Sequence, residues 1–421
     1  MPPFRYTGLP SPHGILHYGT PNLKLKFLNF LKSLPCQEQF TTDKFSRFFI
    51  LLMSFKKLYI ASLIPLFALN TFATELEIPD IIKKIKFTVD FQLRHENIYK
   101  KYYTDVSRQR YKLRFGLDFY LPKNVKLGTR ISSGTGYPGS ALDTFTNLSG
   151  EKKFWIDRAY MQWQLWDFLT LTGGKMPNPF WTTFSQEMVW DGNLSPEGFA
   201  QQIKTKNGRF FLNLLQMVAN EDSSNQHDQW MIGEQAGFSL DLYNNVNFTL
   251  AAAYYLWTYV DSAPLGIYVM EGNRRVGTTS QLANRFAVGD ITAQLKTSIG
   301  SFPVNFQATY INNLRSRLNP KENIGYKTGI IFNKAKQAGS WEIGYFYEYI
   351  ETDATIADLT DPTFGDGGTN RKGHIVWFAY APMNNTKLRV RYYNTKVVNE
   401  NLPPNKDDIH KLQFDLILKL D

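Results

Sequence analysis

The chain has 421 residues, with 47 Lys and Arg against 37 Asp and Glu, and a single cysteine. One cysteine excludes a disulfide framework and any multi-cysteine zinc or iron–sulfur site. With 43% hydrophobic residues the chain is not disordered, and the lack of a run of about 18 uncharged apolar residues excludes a helical membrane protein.

From Met53 the sequence MSFKKLYIASLIPLFALNTFATELE has the plan of an export signal. Lys56 and Lys57 form its basic start, Leu58 to Leu69 its apolar stretch, and Thr71-Phe72-Ala73 a small-x-small cleavage site. Such a signal belongs at the start of a chain. Residues 1–52, with scattered Pro and Gly and the only cysteine, Cys36, are therefore expected to be an upstream extension that translation from Met53 leaves out. Residues 53–73 are then the signal peptide and 74–421 the mature domain. Eight basic and two acidic residues leave with the first 73, so 39 against 35 remain and the formal charge falls from +10 to +4. The basic balance is thus no nucleic-acid signal, and no nucleic-acid partner is expected.

Beyond Lys84 a two-residue alternation dominates. Ile85, Phe87, Val89, Phe91 and Leu93 alternate with Lys86, Thr88, Asp90, Gln92 and Arg94, and Tyr111 to Leu121 repeats the pattern. It returns at 125–131, 159–165, 246–256, 304–310, 324–332, 341–349, 388–392 and 412–420. Weaker stretches at 168–175, 197–205, 208–219, 230–242, 285–299 and 371–381 bring the strand count to sixteen. Breaks after the even-numbered strands are short, such as Pro122-Lys123, Asp167 and Lys206-Asn207. Those after the odd-numbered strands, 96–107, 134–152, 176–196, 220–229, 261–284, 314–322, 353–370 and 398–407, are long. Short turns on one side and long loops on the other are the rhythm of an up-and-down outer-membrane barrel. The expected fold is all-β: a transmembrane antiparallel up-and-down β-barrel of about sixteen strands, closing between 85–95 and 410–420. The 32 Phe, 23 Tyr and 9 Trp then have a cause, because aromatic rings collect at both membrane interfaces.

One block carries a family likeness. Thr170-Leu171-Thr172-Gly173-Gly174-Lys175-Met176-Pro177-Asn178-Pro179-Phe180-Trp181 resembles a strand-and-loop motif of the Putative porin family of Gram-negative outer membranes. Trp190 to Gly198 is similar to that family's next block, and Ile156-Asp157-Arg158-Ala159-Tyr160 to its preceding strand. The resemblance, to trimeric and phosphate-porin-like barrels, implies a diffusion channel for small hydrophilic solutes in the bacterial outer membrane. It also implies outer-membrane lipids, the barrel-assembly machinery and further copies in a homotrimer as partners. The end Lys419-Leu420-Asp421 departs from the terminal Phe or Trp of many such barrels, which bears on insertion more than on fold.

Lumen residues follow from the polar rows of the strands. Sixteen basic side chains fall on those rows against seven acids. The expected pore lining includes Arg94, Arg110, Lys112, Arg114, Lys126, Arg130, Arg158, Lys387, Arg389 and Arg391, a basic wall that favours anions. The compensating acid is assigned to the loops. Loop 176–196 holds Pro177, Pro179, Phe180, Trp181, Trp190 and Asp191, an apolar load unsuited to free solvent, and is expected to fold into the lumen as a constriction rather than over the rim. Loop 353–370, with Asp353, Asp358, Asp361 and Asp366, is read as a solvated outer loop rather than a calcium site. No cofactor, metal site or catalytic residue is expected. A surface adhesin or structural barrel is the alternative function, and a barrel lipase using His374 or His410 a weaker one.

Overall fold

The computed structural model describes residues 84–420, apart from 138, 222–226, 244, 267–271 and 403–407. The export signal and upstream extension read at 1–73 lie outside the described residues. The strands are β1 (Ile85–Lys100), β2 (Val106–Leu121), β3 (Val125–Ser132), β4 (Asp143–Thr144), β5 (Trp155–Trp166), β6 (Leu169–Lys175), β7 (Glu197–Lys204), β8 (Phe210–Asn220) and β9 (Gln229–Tyr243). They continue with β10 (Val246–Trp257), β11 (Ala287–Ile299), β12 (Phe302–Asn313), β13 (Ile324–Asn333), β14 (Trp341–Ile350), β15 (Arg371–Met383), β16 (Thr386–Val397) and β17 (Ile409–Leu420). Apart from the two-residue β4, which extends the pairing on β2, these are sixteen antiparallel strands, each beside its sequence neighbour. Closure comes from β17 on β1, running from Ile409 opposite Lys100 to Leu420 opposite Val89. A closed cylinder pairs every strand with two others, which is what lets a backbone cross hydrocarbon. Phe87, Leu93, Phe306, Phe378, Val390, Phe414 and Leu416 are among the apolar side chains exposed on its outer surface.

Two loops differ from the expectation drawn from alternation. The connection between β1 and β2 is five residues, 101–105, not the long 96–107. The strands run on past Arg94, but their inward and outward rows exchange character: Glu96 and Ile98 are buried while His95 and Asn97 face out. A reading that ends a strand where apolar residues leave the outer row stops too early once the strand has passed the hydrocarbon band.

The second correction is loop 353–370, which is not a solvated outer loop. Thr352, Asp353, Ala354, Ile356, Ala357 and Phe364 are all buried. The Asn273 side-chain amide donates to the carbonyls of Thr352 and Thr355, each at 2.8 Å, and Arg274 Nε donates to Asp353 at 2.7 Å. Loop acids thus come inside with their cations, and the apolar Ile356 and Phe364 supply burial.

Loop 176–196 lies inside the barrel with them. Met176, Phe180, Met188, Val189, Trp190 and Leu194 form one apolar core with Leu215, Met231, Tyr255, Trp257, Phe286, Val288, Ile311 and Ile356. A smaller core joins Phe346, Phe364, Ile375, Trp377 and Tyr393, with Phe184 packed against it. Gly344 makes the latter possible, since a Cβ there would collide with the Trp377 indole.

Candidate functional site

The site is the space left between loop 176–196 and the opposite wall. The loop is fastened by inward-facing polar side chains that replace water for its backbone. Gln235 accepts from Trp181 N–H at 2.7 Å and donates back to Trp181 C=O at 2.8 Å. Gln202 donates to Pro179 C=O at 2.8 Å, Gln307 accepts from Ser185 N–H at 3.2 Å, and Gln186 donates to Asp290 at 2.6 Å. Rings lock the loop further. Phe180 meets Tyr255 edge-on at 5.3 Å, Trp190 meets Tyr255 at 5.5 Å, and Phe184 meets Phe346 at 4.8 Å and Trp377 at 5.0 Å. Such contacts are worth about 1 kcal/mol each beyond burial. Pro177, Pro179, Phe180, Trp181, Trp190 and Asp191 therefore all lie on one inward-folded segment. Lys175 stands apart, paired with Glu197.

Across from the loop, β16, β17, β1, β2, β3 and β5 present a charged wall. Arg94 and Arg389 share Asp415, each with a nitrogen 2.7 Å from a carboxylate oxygen. Glu96 receives Arg108 Nε at 2.5 Å and lies 3.4 Å from Arg110 Nη1. Lys112 pairs with Asp90 at 2.8 Å, and Arg114 and Arg130 both approach Asp157. Arg158 donates to Ser195 at 3.2 Å, Lys126 lies 5.1 Å from the centre of the Tyr160 ring, and Lys387 pairs with Glu342 at 3.3 Å. Arg391 donates to Tyr393 Oη at 3.0 Å and lies over the rings of Phe184 and Trp377. The basic row read from the sequence thus falls on one wall, threaded with acids rather than bare.

One of those acids, Glu96, lies past the apolar band but extends the row of Asp90, Gln92 and Arg94 by one step, as the basic Arg108 extends that of Arg110, Lys112 and Arg114, so a longer strand would have found both. Asp157 has no such signal. A bulge opposite Arg130 and Ile131 shifts the register and turns Asp157 and Arg158 inward together.

Three carboxylates on the loop side face this wall. Asp361 N–H bonds to Glu187 C=O at 2.9 Å and Asp191 N–H to Leu359 C=O at 2.8 Å, so two inward loops bring Glu187, Asp191 and Asp361 together. Burial, reinforced by Asp361, pushes the Glu187 carboxyl up to about 7. Burial with Asp361 and Glu187 nearby raises Asp191 well above the usual carboxylate range. Asp366 goes the other way: although burial opposes its charge, Lys411 and Lys100 hold it well below that range, at 2.8 and 2.6 Å. Between loop and wall a cavity of about 350 Å³ remains, open to solvent and lined from both sides.

A closed antiparallel barrel with short turns at one end, long loops at the other and loops folded into the lumen is an outer-membrane porin fold. The chain belongs to the Putative porin family, whose model matches residues 98–313 and 320–420. Among solved structures, OprB of Pseudomonas putida at high pH superposes with a TM-score of 0.56 at 10% identity, over 81% of this chain and 96% of that one. OmpT of Vibrio cholerae, in its trimer form, gives 0.46 at 10% identity over 80% and 99%. A triple mutant of the Rhodopseudomonas blastica porin gives 0.46 at 10% over 80% and 100%. At such identities the likeness is one of fold. No curated protein matches.

Proposed function

We propose that the protein is a passive diffusion channel for small hydrophilic solutes that prefers anions, and that it acts as a channel and not as an enzyme. The observation that carries this reading is the lining of the cavity between loop and wall. Eight basic side chains (Arg94, Arg108, Arg110, Lys112, Arg389, Arg391, Lys411 and Lys419) meet four acidic ones (Glu96, Glu187, Asp191 and Asp361). In a narrow aqueous passage with low-dielectric walls, that surplus concentrates anions and repels cations. Glu187, with its carboxyl near 7, adds only part of a negative charge at neutral pH. The narrowing is assigned to loop 176–196 and the selectivity to Arg94, Arg110, Lys112, Arg114, Arg389 and Arg391. Lys126, Arg130, Arg158 and Lys387 line the approaches. Insertion by the barrel-assembly machinery, homotrimeric association in outer-membrane lipid and export directed by residues 53–73 belong to the same reading.

His374 and His410, the candidates for lipid hydrolysis, hydrogen-bond Tyr345 and Tyr392 on the outer face, at 3.0 and 2.7 Å. Purified protein in a planar bilayer is expected to give discrete, long-lived conductance steps and no release of fatty acid from labelled lipid. A folded barrel without conductance would instead favour the structural or adhesive reading.

A further inference from the structure

The outer wall carries a feature unrelated to the passage. On β15, β16 and β17 the outward side chains fall in register: Phe378, Val390 and Phe414 form an apolar row. Four residues nearer the long-loop end, which is the outward-facing end of such barrels, the row becomes His374, Asn394 and His410, with Tyr99 of β1 continuing it. Two residues further still, Lys372 stands opposite Lys396. At about 3.3 Å per residue the step from apolar row to lysine pair is about 20 Å along the strands. Their tilt shortens that step along the membrane normal.

Three properties set this face apart. Lys372 and Lys396, adjacent and of like charge, have no ion-pair partner among the described residues, and the Lys101 side chain beyond the end of β1 is 53% exposed, with Asp408 at 3.9 Å and the Tyr102 ring at 4.8 Å. The two histidines are held at the surface by tyrosines. In the tautomer in which His374 Nδ1 and His410 Nδ1 accept from Tyr345 and Tyr392, each Nε2–H is left to donate outward. Below them an apolar groove of about 650 Å³ runs from these strands across β1 and β2, lined by Phe378, Val390, Phe414, Leu416, Leu93 and Phe145.

Adjacent lysines at the edge of a hydrocarbon band repel each other unless an anion lies between them, and a groove beneath them admits an alkyl chain. We propose that this face is a site for a phosphorylated lipid of the outer leaflet. Its phosphate lies against Lys372 and Lys396 with His374 and His410 as flanking donors, and an acyl chain fills the groove of Phe378, Val390 and Phe414. Phosphate is favoured over carboxylate because lysine and imidazole donors arriving from separate strands suit an anion with three accepting oxygens. The proposal depends on the barrel standing in a membrane and not on what passes through its lumen.

Native mass spectrometry of the full-length protein, extracted from outer membranes in mild detergent, tests it with bis-phosphorylated lipid A as the probe. Wild type is expected to retain lipid A at least tenfold more strongly than phosphatidylcholine or fully dephosphorylated lipid A. K372Q/K396Q is expected to lose about tenfold in affinity while keeping its heat-dependent gel mobility and its bilayer conductance. Phe414→Asn is expected to weaken lipid A without affecting the lysine pair. Millimolar inorganic phosphate should leave lipid A bound. Equal retention of dephosphorylated lipid, an unaltered K372Q/K396Q affinity, or displacement by inorganic phosphate would each overturn the assignment.

Discussion

The two halves of the lumen are built from the same alternating strands and end in opposite states. On β7 to β14 the inward row carries Ala200, Leu215, Met231, Ala253, Tyr255, Val288, Ile311 and Phe346, packed under loops 176–196 and 351–370, beside enclosed polar groups such as Asp290 and the Lys327–Glu348 ion pair. On β16, β17, β1, β2, β3 and β5 it is a chain of guanidiniums, ammoniums and carboxylates beside open space. Polar inside and apolar outside holds only where water fills the lumen. Where a loop folds in, the inward row gains large apolar side chains, and its polar groups bond the loop, as Gln235, Gln307 and Thr309 do, or each other, as Lys327 and Glu348 do. The loops therefore decide which half keeps open space, and the strands record that decision in their inward rows.

Removing the loop tests this division most severely. Deleting residues 181–190 bares Tyr255, Phe346 and Trp377 and is expected to raise single-channel conductance several-fold in protein that still shows heat-dependent mobility. Unchanged conductance in the folded deletion would mean that the loop does not narrow the passage.

Point changes on either side should separate the two halves by their response to salt. Trp190→Ala leaves a void against Phe180 and Tyr255 and is expected to cost about 3 kcal/mol, at low and high salt alike. Asp415→Asn strips the shared counter-charge from Arg94, which is 6% exposed, and from Arg389. Its cost is about 3 kcal/mol at low salt. Molar salt should recover a measurable part of that loss, because it screens the two guanidiniums from each other. The temperature of the gel-mobility transition reads both. A salt response in Trp190→Ala, or none in Asp415→Asn, would blur the distinction.

The smallest effect is expected from pH. Glu187 titrates near 7, against an ordinary value of 4.5, so the folded loop holds a proton that the unfolded chain releases. The stabilisation is complete below the ordinary range and is lost as pH rises through 7. Between pH 6 and 8 the loop contact with Asp361 should loosen, the lumen should gain negative charge, and anion preference should fall. Glu187→Gln is expected to flatten that dependence in bilayer recordings, and an equally steep profile in the variant would place the titration elsewhere.

Strand number, closure and the placement of the basic row on one wall were legible in the sequence because a two-residue period reports which face meets hydrocarbon. The character of the wall was only half legible. Glu96 lay beyond the apolar band, where the period inverts, and Asp157 was turned inward by a bulge that leaves no mark in the alternation. The burial of Asp353 and Asp358 depended on Arg274 and Arg275, about 80 residues away in sequence, and no local pattern encodes those partners. A run apolar on both faces was available as a signal. Phe248 to Trp257, FTLAAAYYLW, marks a strand with lipid on one side and a packed loop on the other.

The central claim is that the charged half conducts and that its basic surplus sets selectivity. Reversal potential across a planar bilayer in a tenfold salt gradient tests it directly. Wild type is expected to be anion-selective at pH 7, and the quadruple change of Arg110, Arg114, Arg389 and Arg391 to Gln to shift the potential to or past zero. Cation selectivity in the wild type, or an unmoved potential in the folded quadruple variant, would contradict the account.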